Sequence, residues 1–175
     1  MFESSALVRF LAALSPKLPK LAGIDVSKCP SPLTLVPQLE TGASVSEVME
    51  FEQWYAFASN TMDTVLWNFR VINDFRGACP EEKPLLDLFT TKWNDTILPQ
   101  LEQRFADGRQ YCIKSGFTIV DIILGQNLNW AKKYTFLKPM SLKLKEYEKR
   151  LKSRPALRES FKDAHLFEKD AEAKL

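Results

Sequence analysis

The stretch Gly116-Phe-Thr-Ile-Val-Asp-Ile122 decides the fold of this chain, because it starts a helix by several signals at once. Thr118 suits the N-cap, and Asp121, at the third helical position, can answer it in an Asp variant of the capping box. Phe117 and Ile122 stand at the two positions that pack together as a hydrophobic staple. Capping explains both polar side chains, so Asp121 is interpreted as structural rather than as a catalytic acid.

The helix that starts here is expected to be central. Residues 119–124 are apolar nearly all round, which is typical of a helix covered on every side. Gly125 costs about 1 kcal/mol relative to Ala inside a helix. A glycine inside a helix usually allows the close approach of a neighbouring helix, so we expect one to cross at this position.

A second helix is predicted over residues 44–76. Ser44-Val-Ser-Glu47 forms a capping-box pattern, and Gly77 can end the helix. At about 1.5 Å per residue this helix is roughly 50 Å long, so it needs a partner helix along most of its length. Its apolar stripe, in steps of three and four, is Val48, Phe51, Tyr55, Ala58, Met62, Val65, Phe69 and Ile72.

Residues 84–106 supply that partner. Pro99 lies inside this segment, where it removes a hydrogen bond and clashes with the preceding turn, so we expect a kink or a break. The apolar positions at helical spacing are Leu86, Phe89, Trp93, Ile97, Leu101 and Phe105.

Shorter helices are predicted on either side of this pair. Residues 4–14 form an amphipathic helix, and residues 140–152 form a basic helix followed by a short one that Pro155 begins. Residues 16–43 hold five of the ten prolines, which predicts a linker or a long loop over the surface. The inward side chains are expected to be Ala6, Leu7, Phe10, Leu11 and Leu14 in the first helix, and Leu144, Tyr147 and Leu151 in the basic one.

Composition agrees with one globular, all-α domain. The 175 residues are 45% apolar, include only six glycines and show no alternating strand pattern. No apolar run approaches the roughly 20 residues of a membrane span, and Glu3 and Arg9 interrupt the apolar start as a signal peptide would not. Three scattered cysteines indicate reduced thiols in a cytoplasmic protein, and their spacing suits no metal site.

Several of these segments resemble the glutathione transferase family. The pattern 116–121, followed by Leu128-Asn-Trp-Ala131, Leu144-x-x-Tyr147 and Arg150-Leu-x-x-Arg-Pro-Ala156, is similar to the last three helices of bacterial- and theta-like transferases. Residues 3–12 resemble the Glu-Ser-x-Ala segment at the end of that family's thioredoxin-like half. The resemblance implies the family's C-terminal helical bundle, with a long antiparallel helix pair around a central buried helix.

The resemblance also implies a division of the chain and a set of ligand contacts. Residues 1–15 would be the last helix of the thioredoxin-like domain, 16–43 a linker, 44–164 the helical domain and 165–175 a tail. Glu3 and Ser4 would contact the γ-glutamyl end of glutathione, the implied cofactor. An alternative for this pair is a helix cap that is now only structural.

The helix 44–76 would line the acceptor-substrate side through Tyr55 and Trp67. These two rings, together with Trp54 and Trp93, could equally be ordinary helix–helix packing.

The sequence departs from the family because it begins where the first domain is ending. The strand with the catalytic Tyr, Ser or Cys and the cis-Pro loop that grips glutathione are therefore not in this chain. Two hypotheses follow. One is a truncated or divergent transferase that, if active, conjugates glutathione to an electrophile. The other is a non-catalytic protein-interaction module, as in translation elongation factor or tRNA synthetase complexes.

Partners can be predicted only in outline. The resemblance implies a homodimer through helices 44–76 and 84–106, although a monomer stays open. From Lys132 to Lys162 there are eleven Lys and Arg against three Glu, a balance of +8 in a chain of net charge +2. This charge is read as a solvated helix face, with binding of RNA or another polyanion as the alternative. His165 is isolated and carries no catalytic pattern.

Overall fold

The computed structural model describes residues 4–14, 35–39, 42–77 and 80–162. In this part the chain is helical, without a β-sheet, and its extended pairing is one isolated bridge between Ile113 and Gly116. The predicted all-α class is confirmed. No helix described here has both the length and the apolarity to span a membrane. The helices are α1 Ser4–Leu14, α2 over 45–75, α3 over 83–104, α4 Ile119–Ala131, α5 Leu142–Lys152 and α6 Pro155–Lys162.

The long helix α2 has the predicted extent and the predicted inward stripe. Ser44 is its N-cap, and its Oγ accepts from the N–H of Glu47 at 3.1 Å, which is the first of the two bonds of the predicted capping box. Gly77 follows the helix with a φ of +66°, a left-handed conformation that glycine adopts without strain. The buried members of the stripe are Phe51, Ala58, Met62, Val65, Phe69 and Ile72, and Leu66 joins them.

Two segments of α2 are wider than an α-helix. Phe57–Met62 and Arg70–Phe75 have π-type turns, while Val45–Ala56 and Asp63–Phe69 are α-helical. A π-type turn holds one more residue than an α turn, so it rotates everything after it relative to a regular helix. The regular 3.6 period that the sequence suggested is therefore interrupted twice.

Helix α3 accommodates Pro99 by the same means. Its α-helical parts, Lys83–Lys92 and Leu98–Arg104, are joined by a π-type segment, Trp93–Ile97. The N–H of Leu98 donates to the carbonyl of Trp93, five residues earlier. A regular turn would press the Pro99 ring against the carbonyl four residues back, and a wider turn makes room for it. The alternative of a break into two helices is therefore wrong, since the helix continues through the proline.

Helices α2 and α3 form the predicted antiparallel pair. Residues 63–69 of α2 lie beside 83–92 of α3, and the π-type segments 57–62 and 93–97 lie beside each other. Helix α4 crosses α2 at the first of these segments. There Nδ2 of Asn127, which is 2% exposed, donates to the carbonyl oxygen of Ala58 at 2.8 Å.

The first turns of helix α4, residues 119–124, are largely buried, as predicted, but Ile122 is not. Ile122 is 44% exposed, so the staple predicted between it and Phe117 buries little surface. The ring of Phe117 packs edge-on against Tyr111 at 5.6 Å instead. The expected close approach at Gly125 is confirmed, because a Cβ there would lie 3.0 Å from Cδ1 of Leu151 on α5.

Two predictions about the start of the chain need correction. In α1 the expected inward side chains Leu7, Phe10 and Leu11 are about half exposed, and the small Ala12 is buried instead. The helix docks through this alanine and through polar contacts described below, so its apolar face stays open.

The predicted surface linker 16–43 also reaches the core where it is described. Leu35 and Val36 pack against the core, and Pro37 is buried. The carbonyl of Leu35 accepts from the N–H of Ile119 at 3.0 Å, and so satisfies a donor at the start of α4. Residues 15–34 and the predicted tail 165–175 lie outside the described residues.

Candidate functional site

The candidate ligand site lies where α1 meets the first half of α2. Both terminal nitrogens of the Arg9 guanidinium donate to the Glu52 carboxylate, one of them at 2.8 Å. The same guanidinium lies over the Tyr55 ring, 5.2 Å from its centroid. A two-pronged arginine–carboxylate pair fixes orientation as well as distance. This contact therefore sets α1 against the side of α2 that carries Tyr55.

The predicted glutathione contacts are at the start of the same helix. Ser4 is the first residue of α1, and it precedes Arg9 by five residues, or about 7.5 Å along the axis. The first turn of a helix presents N–H groups without helical partners, which favour anions. Glu3 lies outside the described residues. The structure thus joins α1 to Tyr55 through Arg9, which lies in the second turn of α1.

A second polar cluster lies on the same turns of α2. The Arg104 guanidinium, from the end of α3, pairs with Glu50 at 2.5 Å and lies 5.0 Å from the ring centroid of Trp54. Arg109 approaches the same carboxylate at 3.7 Å. Trp54 in turn packs edge-on against Phe57 at 5.1 Å. The first half of α2 therefore carries two half-buried aromatic rings, each faced by an arginine that a glutamate holds.

Trp67, the second predicted groove residue, lies elsewhere. It follows Tyr55 by twelve residues, which is about 18 Å along the helix axis. Its ring is 46% exposed and meets Phe75 at 6.4 Å, with Arg70 over both rings. The structure does not bring Tyr55 and Trp67 into one groove.

Asp121 is the centre of a buried hydrogen-bond network, and the predicted capping box is present. Oδ2 accepts from the N–H of Thr118 at 2.8 Å, and the Thr118 hydroxyl accepts from the N–H of Val120 at 3.3 Å. Oδ1 accepts from the N–H of Cys112 and from the hydroxyl of Tyr147, both at 2.8 Å. The carboxylate is 1% exposed and holds three segments together, so it is not available to a substrate.

The pKa values in this network follow from burial. Burial raises the pKa of Asp121, and the bonds from Cys112, Thr118 and Tyr147 oppose that rise. Burial, reinforced by the neighbouring Asp121 carboxylate, raises the pKa of the Tyr147 phenol well above its usual value. Burial likewise raises the pKa of the Cys112 thiol to about 12, so at pH 7 this cysteine is protonated and unreactive.

Other reactive groups are sparse in the part of the chain that the structure covers. Among these residues, no three His, Cys, Asp or Glu side chains come together as a metal site would require. His165, the one histidine of the chain, falls outside them, as do Cys29 and Cys79. The arrangement offers binding groups, namely aromatic rings, paired arginines and helix N–H donors, rather than a nucleophile with its base.

Sequence reasoning missed the residues that organise this end of the molecule. Arg9 and Glu52 are 43 positions apart, and Arg104 pairs with a glutamate 54 positions before it, so no local pattern connects them. Glu148 was also missed, although a signal existed. It falls between Tyr147 and Leu151 on the inward side of α5, which spacing alone could have indicated.

Comparison with known proteins adds no relative. Neither a protein-family model, nor a curated protein, nor a solved structure matches this chain.

Proposed function

We propose that this chain is a glutathione transferase-like helical domain that binds glutathione at the start of α1. The observation that supports the proposal is the Arg9–Glu52 pair, with Arg9 over Tyr55, because it joins α1 to the half of α2 that carries Tyr55. A tripeptide anion needs the N–H donors of a helix start, and an apolar electrophile needs an aromatic surface near them.

In this proposal each group has a limited role. Ser4 and the first N–H groups of α1 hold the γ-glutamyl carboxylate, and Glu3 contacts the ammonium group of the same γ-glutamyl end. Tyr55 borders the acceptor substrate. A free thiol has a pKa near 8.5, so conjugation at pH 7 also requires a group that stabilises the thiolate. Arg9 and Arg104 are the nearby cations, and each is already paired with a carboxylate.

The test is titration of the isotope-labelled chain with S-alkyl glutathione, followed by NMR, which detects binding near 1 mM, or about 4 kcal/mol. We expect saturable shifts at Ser4 and Tyr55, and a several-fold weaker affinity for Ser4→Ala. Ser46→Ala, an exposed serine in the first turn of α2, is the matched control. Shifts confined to other helices, or none at saturating ligand, would refute the proposal.

The second candidate function is that of an interaction module that pairs with another copy. It is favoured by exposed apolar side chains on the adjacent helices α2 and α3. Such side chains, when contiguous, are typical of protein interfaces. They are Trp67 at 46% exposure, Phe75 at 62%, Leu85 at 42% and Leu88 at 61%.

Sedimentation velocity tests this candidate. We expect Leu88→Glu to shift the chain from dimer to monomer, since it places a charge in the apolar contact. Leu142→Glu, at a leucine on α5 that is even more exposed, should leave the dimer intact. A wild-type chain that sediments as a monomer at all concentrations would exclude this pairing.

A further inference from the structure

Several basic side chains between Lys132 and Lys162 contact other groups of the same chain. Lys138 bonds Asp95 at 2.9 Å, Lys143 bonds the Ala106 carbonyl, and Arg150 bonds the Gln110 carbonyl at 2.9 Å. Arg154 lies over the ring of Phe117. These four cations are used to tie helices and loops together, so they are not counted as part of a binding surface.

Five other lysines lie directly after α4 and along α5, and we call them the lysine surface. They are Lys132, Lys133, Lys145, Lys149 and Lys152.

Lys132 and Lys152 converge on one buried acid. Both ammonium groups contact the carboxylate of Glu148, whose side chain is 4% exposed, and each lysine keeps 45% of its own surface exposed. Lys152 also bonds Asn129 on α4 at 2.9 Å. The Glu148 carboxylate thus holds the two ammonium groups in place at the surface, and the three side chains together keep a net positive charge.

Among the residues described, no acidic partner is found for the other three lysines of the surface, which are Lys133, Lys145 and Lys149. Lys145, Lys149 and Lys152 follow one another at spacings of four and three, which places them on one side of α5. Lys133 directly follows Lys132. The exposed acid of α5 is Glu146, so the surface keeps an excess of cations while the rest of the chain is net negative.

From this convergence we propose that the lysine surface binds the phosphate backbone of single-stranded nucleic acid. Lysines bind phosphates as point charges and demand no sequence. Phe136 lies three residues after Lys133 and stays 38% exposed while its ring packs against Phe69 and Tyr134, so a base can stack on the exposed part of this ring. An interfacial membrane helix would present several large apolar side chains, whereas α5 exposes Leu142 alone of this kind.

Fluorescence anisotropy with a labelled, mixed-sequence single-stranded RNA tests the proposal at several salt concentrations. Three lysines without an acidic partner and the one net charge of the Lys132–Glu148–Lys152 group make four phosphate contacts. They predict a slope of log K against log[salt] of about −2.8, and hence a fall in affinity of about 50-fold between 50 and 200 mM salt. In Lys145→Gln/Lys149→Gln the slope should drop to about −1.4 and the affinity at 0.1 M salt should fall about 25-fold.

The matched control is Lys92→Gln/Lys114→Gln, which removes two exposed lysines that likewise make no ion pair in the described part and lie outside the lysine surface. This control should bind RNA like the wild type. Equal losses in both double variants, a slope near zero, or tighter binding to phosphatidylserine vesicles or to poly-glutamate than to RNA would each overturn the proposal.

Discussion

Replacing Tyr147 by Phe should destabilise the domain through one hydrogen bond. The Tyr147 side chain is 1% exposed, and its ring stacks on Phe105 with centroids 4.0 Å apart, a contact that Phe retains. What is lost is the hydroxyl that donates to Asp121 at 2.8 Å. A bond to a charged acceptor contributes about 1.5–3 kcal/mol. The free energy of unfolding should fall by that amount, and Tm by roughly 4–10 °C in a domain of this size.

Asp121→Asn should cost more, because an amide cannot satisfy both sets of donors. Whichever oxygen becomes NH2, it faces a backbone N–H, that of Thr118 or that of Cys112, which cannot reverse its direction. One buried N–H then stays unpaired and the charge is lost, so we expect a cost of about 3–5 kcal/mol.

Urea unfolding followed by far-UV circular dichroism measures both variants and their combination. The double variant should be less destabilised than the sum of the single ones by about 0.5–3 kcal/mol, since Tyr147 acts through Asp121. Tyr111→Phe is the control, because that hydroxyl makes no hydrogen bond within the described residues. A cost for Tyr147→Phe no larger than for Tyr111→Phe, or strict additivity, would refute the reasoning.

Three further predictions concern the helix crossings. Asn127→Leu keeps the volume but removes the side-chain hydrogen bond to the Ala58 carbonyl, so urea unfolding should show a loss of about 0.5–1.5 kcal/mol; no loss would mean that this bond does not stabilise the crossing. Gly125→Ala gains about 1 kcal/mol of helix propensity but presses on Leu151 at 3.0 Å, so the net change should be a loss of up to about 2 kcal/mol, and a higher Tm would contradict the close packing. Glu148 is buried, which raises its pKa, but the hydrogen bonds from its lysine partners outweigh this and the pKa lies below the ordinary 4.5. Its contribution is therefore present above about pH 4.5 and lost as pH falls through the lowered value. The Tm difference between wild type and Glu148→Gln should shrink on acidification, and a constant difference would count against the ion pair.

The sequence was most informative where one local signal decided the structure. The stripe of α2 and the cap at Thr118 depend on residues three or four apart, and both appear as predicted. Periodicity located the helices but carried no information about hydrogen-bond register, so the wide turns at 57–62 and 93–97 were missed. Pro99 was recognised as a conflict, but the way that the chain resolves it depends on what packs nearby.

The candidate site was less accessible to sequence reasoning. The apolar side chains of α1 predicted an inward face, but the helix docks by Ala12 and Arg9, so the direction of an amphipathic helix was not set by its own pattern. The family resemblance assigned Tyr55 and Trp67 to one substrate-facing side of α2. Eleven residues of helix between them, including a π-type segment, separate the two rings.

The wide turn at 57–62 makes this part of α2 tolerant of a change in chain length. Because a π-type turn holds one residue more than an α turn, deleting one residue there lets the turn close to regular α spacing, and the helix downstream keeps its direction about the axis. Val65 and Phe69 would then stay in the interior. The same single-codon deletion in the regular turns of Asp63–Phe69 would instead rotate everything after it by about 100°, so it should be far more damaging.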